Sequence, residues 1–188
     1  MNRAADVALA GLGLVFASPF LAAAALAVKL EDGGPILFRQ TRVGKDGADF
    51  ELLKLRSMVV DAEQKGAGFA VDRGDARITR VGRVIRRLSL DELPQFFNVL
   101  KGDMSIVGNR PLPLYEAETL TTDAWAKRFL APAGITGLWQ ILKKTNKNMS
   151  IEERIHLDIN YADKHNFAYD LWILANTPTA LLQKEEIV

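Results

Sequence analysis

Residues 7–28 read VALAGLGLVFASPFLAAAALAV, about 22 positions without a charge. Coiled as one helix, such a run is long enough to cross the hydrocarbon core of a bilayer. It must meet lipid or be covered by the rest of the chain. A cleavable signal peptide is one reading, because alanine-rich sequence follows the apolar stretch. Its positive leader would be only the amino terminus and Arg3, with Asp6 following at once. A spanning helix is the second reading, and Ser18-Pro19 in the middle of the run stands against it. Pro19 has no N–H for the Val15 carbonyl and its ring clashes there, so a kink is expected. Proline is tolerated in membranes, and the flanking charges (Arg3 against Lys29, Glu31 and Asp32) fix no orientation. The residues alone leave a spanning helix and a re-entrant one, turning back to the face it entered, equally open. Ser18 is the nearest group able to satisfy backbone freed at the break.

The remaining chain suits one domain, 1–188, with 1–32 as the membrane element and 33–188 as a globular part. Gly33-Gly34-Pro35 ends the first helix. Residues 36–43 and 49–56 alternate around Gly44-Lys45-Asp46-Gly47, which predicts a β-hairpin. Lys54 and Arg56, two apart, would share one face of its second strand, as a solvated edge or as a cationic wall. Helices are expected over 57–78, running into a polar loop at 66–75, over 78–88 with Ile78, Val81, Ile85 and Leu88 inward, and over 114–129. Residues 150–165 form another helix, with Ser150 and Glu153 at capping-box spacing. The tail 167–182 is apolar and carries Tyr169 and Trp172. It reads as a core helix or as an interfacial one with its rings at headgroup level, and Trp139 invites the same comparison. The class is α+β, mostly helical.

The formal net charge of +1 removes a global basic field for nucleic acid. A local one remains: Arg73, Arg77, Arg80, Arg83, Arg86 and Arg87 stand against Asp75 alone. That run is a solvated helix face or a surface for anionic lipid and phosphate. No cysteine is present, which excludes thiol nucleophiles, disulfides and cysteine-based zinc sites. His156 and His165 lack metal-ligand spacing, and no P-loop, dinucleotide fingerprint or zinc helix motif occurs. Asn148-Met149-Ser150 fits a glycosylation acceptor pattern, which is uninformative by itself.

The chemistry concentrates in 86–113, RRLSLDELPQFFNVLKGDMSIVGNRPLP. Arginines lead into the adjacent carboxylates Asp91 and Glu92. Leu93, Phe96, Phe97, Val99 and Leu100 follow at helical spacing and place the pair on a first helical turn. Ser89, three before Glu92, has capping-box spacing, so Glu92 has a structural explanation. The second acid and the cationic Asn109-Arg110-Pro111-Leu112-Pro113 run do not. A carboxylate beside a helix N-terminus and several arginines stays ionised and suits a nucleophile or a metal ligand. Asp103 is either a further ligand or a turn residue bonding its own backbone.

This run resembles the bacterial sugar transferases known as small monotopic phosphoglycosyl transferases. The resemblance extends through Phe38-Arg39-Gln40-Thr41-Arg42-Val43-Gly44, Lys54-Leu55-Arg56-Ser57-Met58 and Gly134-Ile135-Thr136-Gly137-Leu138-Trp139-Gln140. It implies a re-entrant helix broken at Ser18 and Pro19, each arm of about 11 residues reaching mid-bilayer. The location implied is the cytoplasmic face of the bacterial inner membrane. The reaction implied passes a sugar-1-phosphate from a UDP-sugar to undecaprenyl or another polyprenyl phosphate and releases UMP. It belongs to the transferases of substituted phosphate groups and opens glycoconjugate or polysaccharide synthesis.

By resemblance, Asp91 is the nucleophile of a phosphosugar-aspartyl intermediate and a ligand of Mg2+, and Glu92 handles proton transfer. The spacing alone does not divide their roles. Lys54, Arg56, Arg86, Arg110 and Pro111 would meet phosphate or nucleotide. The partners are UDP-sugar, polyprenyl phosphate and inner-membrane lipid, without nucleic acid; a homodimer is left open. The chain departs from the family at Asn109, where proline is usual, and over 142–147, which bears on donor choice. Two competing functions remain, a catalytically silent membrane-anchored scaffold of a glycan assembly complex and a direct sugar transferase releasing UDP. The sequence names neither the sugar nor the pathway.

Overall fold

The computed structural model describes residues 1–62, 75–119, 123–143 and 149–182. Helix α1 (Arg3–Asp32) is 30 residues long and runs through Pro19 without interruption. The Ser18 hydroxyl donates to the Val15 carbonyl at 2.8 Å, the acceptor that Pro19 leaves without its usual N–H. The expected partner is therefore Ser18, and the helical hydrogen-bonding pattern continues across the site.

α1 is two-sided. Ala10, Ala17 and Ala24, each seven residues from the next, are buried together with Asp6 and Val28. Small side chains at heptad spacing let neighbouring backbones approach closely along one seam. At Gly13 an added Cβ would lie 2.9 Å from the Phe96 ring. The opposite face leaves Leu12, Val15, Phe16, Phe20, Leu26 and Leu30 exposed.

Both ends of α1 are tied to the globular part. Asp6 accepts from the Ser105 hydroxyl at 2.8 Å and from the Ile106 N–H at 2.9 Å. Arg3 donates to the carbonyls of Val99 and Leu100. At the other end Glu31 accepts from the N–H groups of Arg80 (2.7 Å) and Val81 (3.2 Å). Asp32 pairs with Arg56 through both carboxylate oxygens.

Strands β1 (Leu37–Val43) and β2 (Asp49–Leu55) form the expected antiparallel hairpin, with Leu37 opposite Leu55 and Val43 opposite Asp49. Asp46 and Gly47 turn it at positive φ. The helix expected over 57–78 is absent where the chain is described. Met58 bridges Ile78, and the Val59 N–H bonds the Arg77 carbonyl at 2.9 Å. Backbone groups paired to a distant segment are unavailable to a helix. Most of the loop expected at 66–75 lies outside the described residues.

Helix α2 (Arg80–Arg87) is capped by Thr79, buries Ile85 and leaves Leu88 outside, contrary to the inward placement expected for Leu88. A 3₁₀ turn, Leu90–Glu92, leads to α3 (Gln95–Lys101), which ends at Gly102 with φ 103°. Asn98 on α3 accepts from the Leu53 N–H and donates to the Glu51 carbonyl, covering the outer edge of β2. Asp103 accepts from the Asn98 side-chain amide and pairs with Lys101, contacts that hold the turn after α3 through side chains.

Strand β3 (Ser105–Val107) precedes β4 (Leu112–Pro113), which adds to the free edge of β1 and completes the order β2-β1-β4. The helix expected over 114–129 is broken into α4 (Leu114–Ala117), α5 (Asp123–Ala126) and a 3₁₀ turn, Lys127–Leu130. Thr119 marks the first break, its hydroxyl and N–H both turned back to the Glu116 carbonyl.

Strand β5 (Gly134–Thr136) lies parallel to β3, a second sheet that the sequence reading did not contain. A Cβ on Gly134 would sit 2.1 Å from the Gly108 nitrogen, so only glycine permits this approach. Helices α6 (Leu138–Leu142), α7 (Ile151–Lys164) and α8 (Phe167–Leu182) complete the chain. The Ser150–Glu153 capping box forms as expected. α8 buries Asp170 and Ile173 and exposes Phe167, Leu171 and Trp172. The main core gathers Val99, Val107, Leu138, Ile141, Tyr161 and Ile173 from α3, β3, α6, α7 and α8.

A buried ion pair, Arg128 with Asp158, joins the Lys127–Leu130 turn to α7. Burial outweighs Arg128 and pushes the Asp158 carboxyl up from 3.8 to about 6. A raised folded-state pKa stabilises the fold below the unfolded value, and that contribution is lost as pH rises through the folded one. Wild type should therefore gain stability relative to Asp158→Asn as pH falls from about 7 to about 4. Unfolding midpoints across that window measure it; parallel curves for the two proteins would contradict it.

Candidate active site

The acidic pair lies on the Leu90–Glu92 turn, wedged between α2 and α3 and packed against β2. The turn is entered through Ser89 at φ 56°, ψ 21°, a left-handed conformation uncommon outside glycine. An N-cap needs extended backbone, so the Ser89–Glu92 capping box does not form. The pair consequently precedes α3 instead of riding its first turn.

Asp91 is 6% exposed and lines a cavity of about 830 Å³. Lys54, Arg56, Arg86, Arg110 and Pro111 line it as well, so five predicted site residues meet Asp91 in one space. They arrive from separate parts of the chain. Lys54 comes from β2, Arg86 from the last turn of α2, and Arg110 with Pro111 from the segment joining β3 to β4.

Glu92 is held from two sides. Its Oε1 lies 3.4 Å from Lys54 Nζ and 3.8 Å from Arg110 Nη1. Burial pushes the Lys54 ammonium below its usual range, Glu92 opposes that, and Arg110 adds to it. The Glu92 carboxylate thus favours the ammonium form of Lys54 against its burial and the neighbouring cation. Adjacent in sequence, the two acids differ in surroundings: Asp91 faces the cavity and Glu92 bridges cations on its wall.

Arg56 is predicted with the phosphate-contacting group and does line the cavity, but its guanidinium is occupied. It pairs with Asp32 and donates to the carbonyls of Pro35 (2.6 Å) and Met58 (3.1 Å). Its geometry fixes the end of α1 to the exit of β2. Ser18 and Pro19 lie along α1, a helix long and apolar enough to cross a membrane, and away from the cavity lining.

Several contributors were not singled out from sequence. Trp139, compared there with interfacial rings, lines the cavity instead and carries the Arg154 guanidinium 5.3 Å from its ring centre. Asn109, Arg128 and Asp158 form a buried polar group behind Arg110. Only Asn109 carried a signal, as a departure from the family pattern. His156 and His165 are exposed, in keeping with a surface reading. Among the described residues no group of three or more histidine, cysteine, aspartate or glutamate side chains is placed to hold a metal. Residues 144–147 of the second departure, and Asn148, lie outside the described residues.

Residues 1–184 match the family described as bacterial sugar transferase. A UDP-glucose:undecaprenyl-phosphate glucose-1-phosphate transferase of Caulobacter vibrioides is 43% identical over 96% of this chain and 69% of its own length. A UDP-N-acetylgalactosamine-undecaprenyl-phosphate N-acetylgalactosaminephosphotransferase of Aeromonas hydrophila is 41% identical over 92% of this chain. An Escherichia coli UDP-glucose:undecaprenyl-phosphate glucose-1-phosphate transferase is 41% identical over 93%. The chain spans 40% and 38% of the length of these last two relatives. The match over nearly every residue settles the family: the chain belongs to the bacterial sugar transferases.

Proposed function

We propose that this chain transfers a sugar-1-phosphate from a UDP-sugar to undecaprenyl phosphate and releases UMP. The carrying observation is the buried Asp91 facing a cavity walled by Lys54, Arg86 and Arg110. Both substrates are anionic, so the cations offset the charge that gathers at the reacting phosphorus.

In the proposed reaction an Asp91 oxygen attacks the phosphorus bonded to the sugar. The phosphoanhydride bond breaks and UMP leaves with its electron pair. An oxygen of the lipid phosphate then attacks the same phosphorus, and the acyl-phosphate bond breaks to return Asp91. The product is a polyprenyl diphosphate-sugar. Dividing one transfer into two is the use of a carboxylate nucleophile. Glu92, held by Lys54 and Arg110, is suited to accept or return a proton at the lipid phosphate.

The donor set fits magnesium, because a hard cation needs only one or two carboxylates when substrate phosphates complete its shell. Asp91 would hold it, and the ion would supply charge neutralisation at the diphosphate. Lys54, Arg86 and Arg110 would orient the diphosphate, and Pro111 limits the backbone freedom beside Arg110.

The test is nucleotide release from a panel of UDP-sugars with undecaprenyl phosphate and magnesium, in lipid nanodiscs. Lipid-dependent UMP is expected from at least one donor. Asp91→Asn should lower it by at least about a thousandfold. UDP in place of UMP would mean direct sugar transfer, and no nucleotide from any donor would favour the scaffold.

We also propose that α1 re-enters the membrane from the cytoplasmic face without crossing it. Its two ends bond the same globular body, while the apolar face bearing Phe16 and Phe20 looks outward. The natural chain has no cysteine, so single replacements report cleanly. In intact spheroplasts Ala4→Cys and Lys45→Cys should both resist an impermeant thiol reagent and label after lysis. Labelling of Ala4→Cys alone in intact cells would make α1 a spanning helix.

A further inference from the structure

At the wall of the cavity, three buried polar side chains from three parts of the chain meet beside Arg110, and two of them, Arg128 and Asp158, line the cavity. Asn109, Arg128 and Asp158 are 4%, 3% and 1% exposed. Asn109 Nδ2 donates to the Arg128 carbonyl at 2.7 Å and to the Asp158 carbonyl at 2.9 Å. Arg128 Nη2 pairs with Asp158 and also donates to the Arg110 carbonyl at 3.0 Å. The rest of its guanidinium lies over the Phe129 ring, 5.4 Å from the centre.

The neighbouring backbone is held just as firmly. The Asn109 N–H donates to the Pro132 carbonyl at 2.9 Å, and the Asn109 carbonyl accepts from Gly134 at 2.8 Å. Arg42 Nη1 donates to the Pro111 carbonyl at 3.1 Å. Proline at 109 would lack both the amide N–H and the side-chain amide used here, which gives the departure a physical reason.

Burying a charge is costly unless it is paired, and this pair is almost completely buried. Both side chains reach the cavity wall, and Arg128 is joined to Arg110 there by the bond to its carbonyl. We propose that Arg128 and Asp158, joined by Asn109, are positioning residues that set the Arg110 guanidinium against Glu92 and the donor diphosphate. Arg128 touches the backbone of Arg110 and acts through it. The inference rests on Arg110 serving the donor phosphates, as proposed above.

The test is a double-mutant cycle on kcat/KM for the UDP-sugar, using the full chain in nanodiscs with magnesium and undecaprenyl phosphate. Arg128→Lys keeps a cation for Asp158 but cannot span both acceptors. It should lower kcat/KM about tenfold to thirtyfold, the scale of one charge-assisted hydrogen bond. In an Arg110→Ala background the same replacement should change it by no more than about twofold, because coupled residues are not additive. Equal losses in the two backgrounds would overturn the inference, since a purely structural role lowers both alike. Should Arg128→Lys fail to fold, Asp158→Asn carries the same cycle with the same two outcomes. Absence of turnover by wild type with every donor would overturn the donor reading itself. Wild-type turnover with uncoupled losses would overturn this inference alone.

Discussion

The arrangement depends on the way α1 is pinned by charges at its ends. Arg3 donates to the last carbonyls of α3, and Glu31 accepts from the first N–H groups of α2. Each charge has the sign that the helix terminus it meets prefers, a cation at a C-terminus and an anion at an N-terminus. α2 and α3 are the two helices flanking the Leu90–Glu92 turn. The apolar helix therefore braces both sides of the acidic pair, and Asp32 with Arg56 adds a third tie at the exit of β2. The hydrophobic face directed outward and the polar ties directed inward belong to one element. In the proposed function, membrane attachment and active-site geometry are linked through it.

Within that brace the two acids are separated by surroundings. The left-handed Ser89 bends the chain after α2 and turns Asp91 toward the cavity. Glu92 is taken up by Lys54 and Arg110. Sequence spacing left the roles undivided because no local pattern says which partners each acid will face. On the 3₁₀ turn the neighbouring side chains leave in different directions and meet different partners. The division supports Asp91 as the group that meets phosphorus and Glu92 as the group that manages charge and protons.

What could be read from sequence follows the range of the interactions. The hairpin, α2, α7 with its capping box and the apolar helix are set by neighbours a few residues apart, and local periodicity and turn residues disclose them. Ser18 as partner for the Val15 carbonyl was legible for the same reason. The parallel β3–β5 pair joins residues about thirty apart through Gly108 and Gly134, and no local pattern announces it. Nor did local pattern foresee that Met58 would bridge Ile78 and displace a helix. Arg56 shows the same limit at the site. Its spacing from Lys54 was read correctly, but its partner Asp32 comes from the far end of α1. The predicted site residues around Asp91 converge because motif resemblance carries long-range information that periodicity does not. The buried group behind Arg110 lacked both signals, apart from the odd residue at 109.

The central claim is that Asp91 makes a bond to phosphorus. Intact-protein mass measurement after mixing with a UDP-sugar and magnesium, in nanodiscs without lipid phosphate, tests it most directly. The account predicts a mass gain of one sugar phosphate, mapped to the peptide holding Asp91, discharged on adding undecaprenyl phosphate, and absent from Asp91→Asn. A protein that turns over donor when lipid phosphate is present, yet never gains mass without it under rapid quench, would contradict the covalent route.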